Sequence, residues 1–230
     1  MGKQKHSTHR IQLLWRENAL SIVLLGLFSF FALAQAIVGH QVHNEERRHH
    51  GQSSLSMAKY LGSGHFLEAY FENWESEFLQ MGLFVILAAG LRQKGSAESK
   101  KLDEEEPVDE DPREKMHDPN APWPVRRGGM WLMLYEHSLS FAFLALFLFS
   151  FVMHAVHGVR EVNHQNLHHG EPMISTPEYL ASSQFWFESF QNWQSEFVAV
   201  FAIVFLTIFL RQRGSAQSKP VAAPHRATGN

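Results

Sequence analysis

Charge is segregated along this chain. Residues 18–44 contain no Asp, Glu, Lys or Arg, and their centre reads ALSIVLLGLFSFFALAQAIVG over 19–39. Residues 137–159 are equally free of charge and read HSLSFAFLALFLFSFVMHAVHGV. A helix rises about 1.5 Å per residue, so about 20 residues cross a hydrocarbon core of roughly 30 Å. Both stretches predict membrane-spanning helices. The first has a basic N-terminus and an Ala32-Leu33-Ala34 sequence, as a signal peptide would, but its apolar run is too long and its counterpart lies in mid-chain.

Two shorter apolar runs, FLQMGLFVILAAGL at 78–91 and FVAVFAIVFLTIFL at 197–210, have the length of a buried core helix. The residues upstream extend them. Leu67, Tyr70, Phe71, Trp74, Phe78 and Met81 recur at three- and four-residue steps, and Phe187, Phe190, Trp193, Phe197 and Val200 do the same. That period is one stripe of a helix. Both runs therefore predict long helices that span, each with a semi-polar outer third.

The pattern repeats. Residues 17–100 align without a gap on residues 136–219, at an offset of 119, with 34 of 84 positions identical. FENWESEF faces FQNWQSEF, and LRQKGSAESK faces LRQRGSAQSK. A tandem duplication of a two-span unit follows. The expected organisation is a basic tail over 1–16, a first repeat over 17–100 with spans at about 18–39 and 67–91, and an acidic, Pro-rich linker over 101–129 expected to be extended. A second repeat covers 130–219, with spans at about 137–158 and 186–210, and a tail covers 220–230. The fold class expected is all-α: an integral membrane four-helix bundle with a pseudo-two-fold axis along the membrane normal.

Orientation follows from Lys and Arg. The N-terminal tail, the segment from Arg92 to Arg127 and the C-terminal tail hold sixteen of them. The opposite face holds Arg47, Arg48, Lys59 and Arg160. Positive charge collects on the cytoplasmic side, so both termini and the linker are expected there. The mean hydropathy of -0.21 and net charge of -3 average over these compartments and hide them. With no basic excess, no nucleic-acid partner is expected; the partner is the lipid bilayer. There are no cysteines, which excludes thiolate catalysis and Cys-ligated metals.

Polar groups within a span need a physical reason. Glu77 lies 15 residues before Arg92 and Glu196 lies 15 before Arg211, which puts each glutamate about 22 Å deeper than its arginine. Asn73, Ser76 and Glu77 share a helix face, and the second repeat keeps all three as Asn192, Ser195 and Glu196. It discards Glu72 and Glu75, which become Gln191 and Gln194. The retained face predicts a paired intramembrane carboxylate site suited to proton exchange or cation coordination. A hydrogen-bonded polar seam between helices and partial exposure to water are the structural alternatives. Glu17 and Glu136 open spans at the level where Arg92 and Arg211 close them, which predicts interfacial ion pairs of small energetic weight.

Ten of fifteen histidines fall in the two outer loops or at the end of the third span. His164 and His168 have ligand spacing, as do His154 and His157, and His49-His50 recurs as His168-His169. The candidate metal ligands are His49, His50, His164, His168 and His169, with a divalent metal as candidate cofactor; interfacial histidines of no metal role are the alternative. A b-type haem is disfavoured, because the counterpart of His154 is Gln35. No nucleophile–base motif, P-loop or dinucleotide fingerprint appears, so no enzyme is expected.

At the NWESEF and NWQSEF blocks and the LRQ(K/R)GSA(E/Q)SK exits, the sequence resembles a bacterial family of uncharacterised membrane proteins carrying a domain-of-unknown-function label. The resemblance implies a bacterial inner-membrane location and carries no known activity. The leading expectation is therefore small-ion, proton or solute transport, channel-like, through Glu77 and Glu196. The competing expectations are a structural or accessory subunit of a homo-oligomer or larger membrane complex, and a divalent-metal binder or sensor built on the outer histidines.

Overall fold

The computed structural model describes residues 2–229, with side chains from Gln12 onward. Regular structure is entirely helical among the described residues. In chain order the helices are α1 (Gly2–His49), α2 (Met57–Tyr60), α3 (Gly64–Gly90), α4 (Trp123–Arg127), α5 (Gly129–Glu136), α6 (Ser138–His169), α7 (Thr176–Leu180) and α8 (Ser183–Phe209). The chain forms two compact units, one up to Phe66 and one from Leu67 onward.

Among the described residues, three helices are long and apolar enough to cross a membrane: α1 over Gln12–His49, α6 and α8. Only 17% of the most apolar window of α6 and 6% of that of α8 is buried. Their outward Phe and Leu side chains, such as Phe201 and Leu139, are what a lipid solvent requires. α3 differs from the other predicted spans. It has the length, but Glu68, Glu72, Glu75 and Glu77 crowd its first half and lower its hydropathy.

The helices outrun the apolar runs. α1 continues to His49 and α6 to His169, so His49, His164, His168 and His169 ride on helical extensions and not in loops. Glycine ends both extensions: Gly51 and Gly170 have φ of 72°, the left-handed conformation that closes a helix cheaply only without a Cβ. Asn163 on α6 then holds the following loop, donating to the Ile174 carbonyl and accepting from its N–H, both at 2.8 Å. Asn44 on α1 brackets Leu55 in the same way at 3.0 and 2.7 Å. Ser175 and Glu178 cap the start of α7 reciprocally, and Ser182 caps α8.

The linker is not extended. It makes two 3-10 turns at Pro107–Asp109 and Pro112–Lys115, each opened by an acidic cap. Lys100 pairs with Asp109, and Lys101 with Glu104 at 2.6 Å. The two exit segments fold alike. Gln93 N–H donates to Ser99 Oγ at 2.8 Å, Gln212 N–H to Ser218 Oγ at 2.9 Å, and Gly95 and Gly214 both take positive φ. The second exit buries Lys219, whose ammonium donates to the carbonyls of Gly95, His225 and Ala227 at 2.5, 2.9 and 2.8 Å. Burial and the Arg211 charge lower its pKa.

The apolar core of the second unit lies where α6, α7 and α8 meet. Ala155, Val159, Val162, Tyr179 and Phe185 form it, flanked by Phe151, Ile174 and Leu180. Gly158 lets the Tyr179 ring lie against the α6 backbone: a Cβ there would sit 2.6 Å from Cε1 and 2.7 Å from Cζ of that ring. Gly158→Ala should push Tyr179 out and cost about 1–3 kcal/mol, the range for overpacking a core. Thermal unfolding in detergent checks it; a wild-type midpoint would show that the ring yields freely.

Candidate functional site

Three helices and the α7 turn bring a polar cluster together in the second unit. α3 contributes Glu68, Glu72 and Glu75, spaced i, i+4 and i+7, hence one face of the helix. α6 contributes His154, α7 contributes Tyr179, and α8 contributes Glu188, Asn192 and Trp193.

His154 and Glu75 are fully buried and joined by Nδ1 to Oε2 at 2.8 Å. The other Glu75 oxygen accepts from the Trp193 indole N–H at 3.0 Å. His154 Nε2 takes no hydrogen bond from a protein group and lies 3.6 Å from Glu188 Oε2. Phe185 stacks on the imidazole at 4.8 Å between ring centres. The Tyr179 hydroxyl lies between two carboxylates, 2.5 Å from Glu188 Oε2 and 3.3 Å from Glu68 Oε1. Burial, and then its bond to Glu188, raise the phenol pKa, so it stays a donor. Gln184 donates to the other Glu188 oxygen at 3.0 Å, and Asn192 donates to Glu72.

Ligand-type atoms of Glu68, His154 and Glu188 all lie within 4.8 Å of one another. A second such group among the described residues, His43, Glu46 and His65, lies in the first unit.

The residues singled out by sequence are distributed differently. Asn192 belongs to the cluster. Asn73 and Ser195 are exposed, and their side chains bond the carbonyls of Ala69 and Asn192 on their own helices. Ser76 is buried and bonds the Asn73 carbonyl. Glu77 is exposed and Glu196 half-buried, close enough for their charges to interact. Glu17 and Glu136 are exposed. Arg92 and Arg211 turn their guanidinium groups onto the last carbonyls of α3 and α8. His164 and His168 meet at 3.4 Å, while His50 and His169 bond carbonyls one turn back, at Glu46 and Gln165. His49 is exposed. None of these five histidines belongs to either three-residue group.

Sequence reasoning passed over Glu68, Glu75, Tyr179 and Glu188. Retention at positions 119 apart points away from them, because Glu68, Glu75 and Glu188 change, to Phe187, Gln194 and Ala69. The available signal was the helical spacing of Glu68, Glu72 and Glu75 within an otherwise apolar stripe.

An all-helical chain with three membrane-length helices, lipid-type surfaces and a buried imidazole–carboxylate cluster is a membrane protein of the helical class. Residues 11–230 match the family described as domain of unknown function DUF6766, and the chain belongs to it. No curated protein and no solved structure matches the chain.

Proposed function

We propose that this is a non-enzymatic, four-span protein of a bacterial inner membrane that binds a small cation from the outer side. The carrying observation is the convergence of one ligand-type atom each from Glu68, His154 and Glu188 within 4.8 Å of one another. Two carboxylates and an imidazole gathered out of water call for positive charge or donated protons among them, and the Tyr179 hydroxyl brings the two carboxylates only one proton.

α3 is the proposed fourth span. Its 27 residues cover about 40 Å. Glu68, Glu72 and Glu75 face protein partners, and residues 81–90 are wholly uncharged. The Lys and Arg distribution supports cytoplasmic termini, with the cluster toward the outside. Positions 119 apart support the tandem repeat: Gly39 and Gly158, Asn44 and Asn163, and Tyr60 and Tyr179 are identical pairs. Access from one side fits the polarity of α3. Its buried polar file ends at Gln80, and Gly82, Leu83 and Ile86 then line an apolar groove with Phe143, Leu144 and Phe147.

A second reading, onward translocation past Glu77 and Glu196, is favoured by the proximity of those two carboxylates. Calorimetric titration of the purified chain with sodium, magnesium, calcium and zinc chlorides tests binding. At least one salt should give saturable heat that is lost in Glu68→Gln/Glu188→Gln. Heat indifferent to that change, or no heat, ends the binding reading. Dye-reported flux in proteoliposomes equal to that of empty vesicles ends the translocation reading alone.

A further inference from the structure

We infer that Glu68, His154 and Glu188 form a site for a first-row transition metal of the zinc, cobalt or nickel class, with Glu75 and Tyr179 as positioning residues. This rests on the cation-binding reading and narrows it to a metal class.

The tautomer of His154 comes first. A carboxylate 2.8 Å from Nδ1 keeps a proton on that nitrogen, so the neutral ring that a metal would bind carries its lone pair on Nε2. That is the arrangement of metal-bound histidines, whose second nitrogen donates to a carboxylate. Trp193 fixes the far oxygen of Glu75, and Phe185 fixes the ring plane, so Nε2 is aimed before any ion arrives. Nε2 is fully buried and bonded to no protein group.

The spacing agrees. Tetrahedral bonds of about 2.1 Å set neighbouring ligand atoms about 3.4 Å apart. His154 Nε2 and Glu188 Oε2 are 3.6 Å apart. Tyr179 and Gln184 hold Glu188 from both oxygens, and the Tyr179 hydroxyl also reaches Glu68.

The donor set selects the ion. One imidazole with two carboxylates suits zinc, cobalt or nickel, whereas calcium and magnesium prefer all-oxygen surroundings. With no cysteine in the chain, thiolate-seeking ions gain nothing. Three protein ligands leave a coordination position open, as in exchangeable and not closed structural sites.

Titration of the full detergent-purified chain with Co2+, read by visible absorption, tests the site. One saturating band should appear, be displaced by Zn2+, and disappear in His154→Gln and in Glu68→Gln. It should persist in His43→Asn, which disables the His43–Glu46–His65 group, and in His164→Asn/His168→Asn. Glu75→Gln should keep the band but weaken binding roughly 10- to 100-fold, a shift that a merely structural role would not produce. A band that survives His154→Gln, or vanishes in His43→Asn, overturns the assignment. If His154→Gln does not fold, Glu188→Gln gives the same decision. Calcium or magnesium heat without a Co2+ band overturns the metal class and leaves cation binding standing; no binding of any ion ends both.

Discussion

Glu75→Leu should destabilise the second unit by about 3–5 kcal/mol, the cost of removing one partner from a buried pair. Glu75 and His154 are both inaccessible to solvent and bond at 2.8 Å. Without the carboxylate, two donors lose their acceptor, the buried His154 Nδ1–H and the indole N–H of half-buried Trp193. Leucine approximates the volume and offers neither a bond. For a chain of this size the loss corresponds to a fall in thermal midpoint of roughly 10 °C. The second half of the test is Glu75→Leu/His154→Leu. Replacing both members of a buried pair with apolar groups is often nearly neutral, so the double variant should recover much of the loss. A single variant within 2 °C of wild type, or a double variant as unstable as the sum of both singles, would contradict the pair as described.

Phe185→Ala should cost a similar amount, about 3–5 kcal/mol. Phe185 is wholly buried and packs edge-on against Phe151, Tyr179 and Trp186 at 5.3–5.4 Å between ring centres. It also covers one face of the His154 imidazole. The substitution therefore opens a cavity at the junction of α6, α7 and α8 and frees the ring that the cluster depends on. Phe187, two residues on, is 68% exposed and serves as the control. Phe187→Ala should stay within about 0.5 kcal/mol of wild type in detergent. Comparable losses at the two positions would show that Phe185 has no special place in the core.

The apolar runs were readable because a charge-free stretch of membrane length has few other uses. α6 and α8 begin and end within about three residues of their expected bounds, apart from the polar extension of α6 to His169. That extension, like that of α1, was hidden because hydrophobicity stops where the helix does not. The helix continues until Gly170 or Gly51 permits the turn. The candidate site was hidden for a different reason. Residues kept in both repeats proved informative about scaffolding: Gly158 admits Tyr179, Asn163 pins its loop, and the exit serines close their turns. The imidazole–carboxylate cluster depends on residues in which the repeats differ. Retention points to Asn192 but not to Glu72, the residue it bonds.

That difference makes the cluster depend on both stretches of the chain. Glu68, Glu72 and Glu75 precede the linker, and His154, Tyr179 and Glu188 follow it, so neither half encodes the cluster. The first half has Gln35 where the second has His154, and the second has Phe187 where the first has Glu68. Two copies of either half could not rebuild it. The stretches before and after the linker each carry only part of the constellation, so the cluster is a property of the whole chain and of neither stretch alone.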